Sequence, residues 1–178
     1  MTLDSPFRVF TIGHSNLALD RLLELLRRHE IDVVVDVRST PYSRHNPQYN
    51  REPFSAALQR RGLQYRSEGN RLGGKPTDPS CYVRVDTGAS SSRETQQVDY
   101  RLVTEKDWFQ EAVNELADLA ASHNVVLLCA EENPERCHRH DLLTPALVGR
   151  NVEVLHIRAT GETELAQLSP EARQMSLF

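Results

Sequence analysis

Val33-Val34-Val35-Asp36-Val37-Arg38 is the stretch on which the fold turns. Its β-branched residues run almost unbroken, as expected of a strand covered on both faces in a parallel sheet. Similar runs stand at 9–12, at Val125-Val126-Leu127-Leu128-Cys129 and at Val152-Glu153-Val154-Leu155-His156-Ile157. A shorter strand is expected over 63–66. Helical spacing fills the intervals. Leu19, Leu22, Leu23, Leu25 and Leu26 recur at one face, with Asp20 and Glu24 early and Arg27 and Arg28 late, as the helix dipole favours. A short helix is expected over 54–61, stopped by Gly62. A longer one is expected over 104–121, capped by Thr104. A third opens at Asn133-Pro134 as N-cap and first position, runs through Leu143, and is interrupted or restarted at Pro145.

Strands alternating with helices predict an α/β fold. We read one domain over residues 1–165, with a mostly parallel sheet and helices on both faces, in Rossmann-like or flavodoxin-like layering. Residues 69–103 are rich in Gly, Pro, Ser and Asp and read as a long irregular insertion. Residues 166–178 read as a C-terminal tail. No apolar run reaches the roughly 18 residues of a membrane span. No basic-then-apolar leader opens the chain, so a cytoplasmic location without membrane association is expected. Three cysteines, Cys81, Cys129 and Cys137, fit a reducing compartment without a disulfide framework.

The chain holds 21 Lys and Arg against 25 Asp and Glu, a net charge of −4 that opposes a bulk nucleic-acid coat. The charge is uneven. Residues 38–75 carry 8 basic and 2 acidic side chains, and all but one of those bases are arginines. Planar guanidinium forks suit phosphate and carboxylate ligands.

In open α/β sheets ligands bind beyond the carboxyl ends of the strands. The distinctive polar residues stand there: His14 after the first strand, Asp36 and Arg38 at the second, Cys129 and Glu131 at a later one, His156 and Arg158 at the last. Asp36 and Glu131 are candidates for nucleophile or base, unless Asp36–Arg38 and Glu131–Arg139 merely neutralise each other. His14 and Cys137 are further catalytic candidates. Helical phasing turns Arg139 over the sheet end and Cys137 towards solvent or a covering loop. Cys129, Cys137, His138 and His140 are possible metal ligands. No Cys-x2-Cys pair is present, however, and a helix spreads 137, 138 and 140 apart, so neither metal nor cofactor is expected. Arg38, Arg44 and Lys75 interleave with Tyr42, Tyr49, Phe54 and Tyr65, as phosphate-holding and base-stacking grooves require. Leu72-Gly73-Gly74-Lys75 adds a tight turn whose amides suit an anion, without Walker spacing.

Taken in order, Thr11-Ile-Gly-His-Ser15, Val35-Asp-Val-Arg38, Pro41-Tyr-Ser-Arg44, Asn46-Pro47, Leu72-Gly-Gly74, Cys129-Ala-Glu131, Cys137-His-Arg139 and Val154-Leu-His-Ile157 resemble domain-of-unknown-function family 488 over about residues 9–165. The resemblance implies a compact α/β domain and marks His14, Asp36, Arg38, Arg44, Glu131, Cys137, His138 and Arg139. It implies no reaction.

The expected function is a nucleic-acid- or nucleotide-processing enzyme linked to DNA replication or repair. Asp36, Glu131, His14 and Cys137 are its catalytic candidates. Arg38, Arg44, Tyr42, His138, Arg139, Gly73 and Gly74 would hold a phosphate-bearing ligand. The alternatives are a sulfurtransferase-like cysteine enzyme, disfavoured by Glu131, Glu132 and Glu135 beside the thiols, and a non-catalytic binding module. Gln174-Met175-Ser176-Leu177-Phe178 resembles the short peptide that docks bacterial replication and repair proteins on the sliding DNA clamp. In that reading Gln174 fixes register, and Met175, Leu177 and Phe178 enter an apolar groove.

Overall fold

The computed structural model describes residues 7–85 and 95–168. In chain order the elements are β1 (Phe7–Gly13), α1 (Leu19–Arg28), β2 (Val33–Asp36), α2 (Arg51–Gln59), β3 (Gln64–Ser67), α3 (Gly69–Leu72), β4 (Tyr82–Val85) and β5 (Thr95–Val98). They continue with α4 (Tyr100–Thr104), α5 (Asp107–Ala120), β6 (Val125–Cys129), α6 (Thr144–Val148), β7 (Val152–Ile157) and β8 (Thr163–Leu165). Six strands form one sheet in the order β3-β2-β6-β1-β7-β8. All neighbours are parallel except β8, which runs antiparallel to β7.

Side chains alternate across this sheet and build two apolar layers. Phe10, Ile12, Val34, Val126 and Leu128 pack on α1 and α2, with Leu22, Leu25, Leu26, Phe54 and Leu58. Val9, Val33, Val35, Val125 and Leu127 face the other way onto α5 and α6, with Phe109, Val113, Leu116 and Leu147. Both faces of the sheet are thus covered, which is why the strands read as unbroken apolar runs. The buried leucine stripe of α1 is the firmest attachment of that helix, since each buried leucine contributes about 1.5–3 kcal/mol.

Several expectations need correction. The helix expected from Thr104 is two pieces: Thr104 ends α4, its hydroxyl donating to the Arg101 carbonyl, and α5 starts at Asp107. Pro53 lies inside the first turn of α2, where a missing N–H costs nothing. The insertion at 69–103 is not irregular throughout, since it contains α3, the antiparallel pair β4–β5 and the start of α4.

The largest difference follows Asn133. Its side chain accepts the Glu135 N–H, as an N-cap should, but the helical turn lasts only from Pro134 to Arg136. At Cys137 the backbone is extended, with φ −139° and ψ 140°. A wide π-type turn, Arg139–Leu143, then leads into α6. Among the described residues no helix is long and apolar enough to cross a membrane.

Candidate functional site

Three strand ends meet at the middle of the sheet. Gly13 pairs with Cys129 across β1 and β6, and Asp36 pairs with Leu128 across β2 and β6. The ladder continues past the strands. His14 N–H donates to the Cys129 carbonyl at 3.0 Å and Val37 N–H to the Leu128 carbonyl at 3.1 Å. A Cβ on Gly13 would collide with the Glu131 carbonyl, so only glycine lets the loop after β6 lie this close.

Asp36 and Arg38 form a closed unit. Asp36 Oδ1 accepts from Arg38 Nε at 2.8 Å and from its backbone N–H at 3.1 Å. Oδ2 accepts from Arg38 Nη2 at 2.5 Å and from the Tyr65 hydroxyl at 2.7 Å. The same Nη2 also donates to the Tyr49 carbonyl at 2.9 Å. Burial and the Asp36 carboxylate together push the Tyr65 phenol above its usual range. Both acceptor atoms of Asp36 are therefore engaged, and the carboxylate holds Arg38 rather than facing a substrate.

His14 is buried beside them, its ring stacked on Tyr49 with centroids 4.2 Å apart. Nδ1 lies 2.9 Å from the Ser15 carbonyl, which can only accept, so Nδ1 carries the proton. That leaves Nε2 to accept from Arg38 Nη1 at 3.2 Å. Burial lowers the pKa of His14, and Arg38 lowers it further. The imidazole stays neutral and orients Arg38.

Arg139 does not neutralise the Glu131 carboxylate, the alternative weighed against a catalytic Glu131. Arg139 is buried, and its guanidinium donates to the backbone carbonyls of Glu131 and Glu132. Its Nε has no partner among the described residues. Arg139 thus staples the loop after β6 from behind. The Glu131 side chain is exposed at the rim, and Glu132 pairs with Arg158 at 3.0 Å.

The extended Cys137 brings three reactive side chains together. Its Sγ lies 3.0 Å from Cys129 Sγ and donates to it. His138 Nδ1 lies 3.8 Å from Cys129 Sγ and 3.7 Å from Cys137 Sγ. His138 Nε2 lies 3.1 Å from the Val37 carbonyl, so Nε2 carries the proton and the Nδ1 lone pair faces both sulfurs. Cys137 is buried rather than turned to solvent, the first of the two placements expected for it, because the helical phasing stops before it. The hydrogen bond from Cys137 lowers the pKa of Cys129 against the cost of burial, and His138 and Arg139 add to the lowering. The same bond, with burial, raises the pKa of Cys137. Cys129, Cys137 and His138 are also the one group among the described residues whose donor atoms, all within 4.8 Å of one another, could hold a metal ion.

The cluster lines a hollow of about 310 Å³, together with Arg38, Thr40, Gly74, Lys75, Tyr100, Glu131 and Arg136. An adjoining hollow of about 470 Å³ is lined by His14, Asn16, Tyr42 and Asn46, and shares Arg38, Thr40, Ala130 and Glu131 with the first. Together they form a groove over the carboxyl ends of β1, β2 and β6. Lys75 N–H donates to Ser39 Oγ at 2.9 Å, tying the two loops that wall it. Burial pushes the Tyr100 phenol up to about 12.

Of the residues expected at the site, Asp36, Arg38, His14, Glu131, Cys137, His138, Tyr42 and Gly74 converge here. Tyr42 is 53% exposed and donates to Glu52 at 2.6 Å. Gly74 faces the His138 ring, where a Cβ would approach within 2.8 Å. Gly73 is buried against the Gly69 carbonyl and Ser39 and lines neither hollow. Arg44 is exposed and also lines neither. His156 and Arg158 stand apart, beyond β1, in a separate hollow of about 410 Å³ with His140 and Glu164. There His156 bridges Thr11 Oγ1 at 2.7 Å and His140 Nδ1 at 3.1 Å, and burial pushes its pKa down to about 3. Sequence reasoning missed Cys129 as the partner of Cys137, and also missed Tyr100 and Arg136. Gln174, Met175, Leu177 and Phe178 lie outside the described residues.

Comparison with known proteins returned no match among curated proteins and none among solved structures. Residues 18–144 match the family model described as "Domain of unknown function DUF488". That span is most of the chain and includes β2, β6, the paired cysteines and His138, so the chain belongs to the DUF488 family.

Proposed function

We propose that the protein is an enzyme acting on a phosphate-bearing substrate, a nucleotide or a single-stranded nucleic acid, held in the groove at the carboxyl edge of the sheet. Its reactive centre is Cys129, Cys137 and His138. One observation carries this reading: two sulfurs and an imidazole nitrogen converge at the floor of a groove whose rim carries the exposed cations Lys75 and Arg136. Arg38, fixed by Asp36 and His14, supplies a further positive group to both halves of the groove. Tyr42 and Tyr100 offer faces on which a base can stack. The carboxylate of Asp36 serves the ion pair, which moves the chemistry from the carboxylates to the sulfur cluster.

The test is equilibrium binding of a short 5′-phosphorylated single strand and of a nucleoside monophosphate to the full chain. Affinity for the strand should fall with added salt, because bound cations release condensed counterions. It should fall again in Lys75→Glu with Arg136→Glu. Cys129→Ser should keep binding and lose product formation, followed by mass spectrometry. Binding indifferent to salt and to both charge reversals would contradict the proposal.

A second reading, sulfur transfer through Cys129, draws on the 3.0 Å sulfur pair, which would place Cys137 within reach of a persulfide. Thiocyanate formed from thiosulfate and cyanide by the native chain, and not by Cys129→Ser, would favour this second reading.

A further inference from the structure

We propose that Cys129 Sγ, Cys137 Sγ and His138 Nδ1 form a three-ligand site for Zn²⁺, with the fourth position open to the groove. Two thiolates and an imidazole are the ligand types this ion takes, and three protein ligands with one open position is the pattern of a reactive rather than a structural zinc site. The tautomer is already set. Val37 can only accept, so His138 donates from Nε2 and turns the Nδ1 lone pair to the sulfurs. A ring N–H fixed by a backbone carbonyl is the usual outer support of a metal-bound histidine.

The distances fit with one adjustment. Tetrahedral Zn²⁺ with bonds of about 2.0–2.1 Å to nitrogen and about 2.3 Å to sulfur sets N···S near roughly 3.6 Å and S···S near roughly 3.8 Å. The two N···S separations are 3.8 and 3.7 Å. The sulfurs, 3.0 Å apart across their shared proton, separate as the ion replaces it. Binding displaces the thiol protons to solvent and leaves Zn²⁺ balanced by two thiolates. Lys75 and Arg136 outnumber Glu131 on the groove rim, which favours an anionic fourth ligand, a hydroxide or a phosphate oxygen. Gly74 has no side chain where the His138 ring must sit. The helical phasing that separates 137 from 138 and 140 does not apply, because the backbone at Cys137 is extended.

Only the identity of the fourth ligand rests on the proposed function; the metal site does not. The experiment titrates the untagged, reduced, metal-free full chain with Co²⁺ and records its absorption. The expected result is thiolate-to-cobalt charge-transfer bands and intense tetrahedral d–d bands, saturating at one ion per chain and abolished by Zn²⁺. Cys137→Ser and His138→Ala should each weaken Zn²⁺ binding by more than the roughly 10–100-fold that loss of an outer-shell partner costs. Cys81→Ser, whose sulfur is not among the three converging donors, should leave it unchanged. Absence of these bands in the native chain, or affinity unchanged in Cys137→Ser, overturns the metal site. So does a chain that only loses two hydrogens to a Cys129–Cys137 disulfide in air and takes up no ion. Inorganic phosphate and a nucleoside monophosphate are then added to the Co²⁺ form. Perturbed d–d bands support an anionic fourth ligand. Unperturbed bands refute that part and the reading of the groove, and leave the metal site standing.

Discussion

Cys137 Sγ lies 3.0 Å from Cys129 Sγ although the residue between Arg136 and His138 would point away from the sheet in a continuous helix. The contact exists because the chain straightens at Cys137. Tertiary partners hold it there: His138 reaches the Val37 carbonyl, and Arg139 reaches the carbonyls of Glu131 and Glu132. These partners bring the thiols to the groove floor, while the Asp36 carboxylate is left to position Arg38.

Asp36→Asn should therefore act on stability. It leaves the buried Arg38 guanidinium without its counter-charge, and breaking one side of a buried ion pair costs about 3–5 kcal/mol. Urea denaturation should show that loss, whereas Cys129→Ser should cost clearly less. Equal stabilities of Asp36→Asn and the native chain would mean that Asp36 is free for chemistry.

Arg139→Met should loosen the loop after β6. Two charge-assisted hydrogen bonds to part-buried carbonyl groups disappear, at roughly 1.5–3 kcal/mol each before relaxation. Amide exchange in residues 130–133 should accelerate more than exchange in α1. Uniform protection in both segments would show that the staple is dispensable.

The division between what the sequence disclosed and what it hid has physical causes. Strands buried on both faces must be apolar throughout, so β1, β2, β6 and β7 were legible, and with them the edge where polar residues gather. Edge and hairpin strands carry no such signature. Among the described residues of β5 and β8, nearly all side chains are exposed, so neither strand stood out. Asn133-Pro134 correctly marked a helical start, yet Glu135, Arg136 and His138 contain no breaker. The turn ends because His138 and Arg139 find distant carbonyls, and local spacing cannot register such partners. Neighbouring strand ends for Asp36 and Glu131 were legible. That Arg139 would serve the loop's backbone rather than the Glu131 carboxylate was not.

His156 should tie stability to pH. Its pKa is pushed down to about 3 by burial, against an ordinary value of 6.5. Above that ordinary value both the folded and unfolded forms are neutral, and the group contributes no pH dependence. Between 6.5 and about 3 the unfolded chain takes up a proton that the folded chain refuses, so stability falls as pH falls. The slope from this group is at most about 1.4 kcal/mol per pH unit. His14, also lowered by burial, adds in the same direction. Denaturation midpoints of His156→Gln should decline less steeply on acidification from neutral pH than those of the native chain. Parallel declines would assign the acid sensitivity elsewhere.

The clamp-docking reading of the C-terminal peptide is tested by retention on the sliding clamp from the same organism. The full chain should be retained and a chain ending at Arg173 should not. Equal retention of the two would remove the link to replication and repair without touching the groove.

A phosphate-bearing ligand should sit over the sulfur cluster. A crystal structure of the full chain soaked with a nucleoside 5′-monophosphate tests it most directly. Phosphate density is expected in the groove, contacting Lys75 and Arg136 and lying over Cys129 and His138, with the base against Tyr42 or Tyr100. Density for the nucleotide in the hollow beside His140 and His156, with the groove filled by water alone, would contradict it.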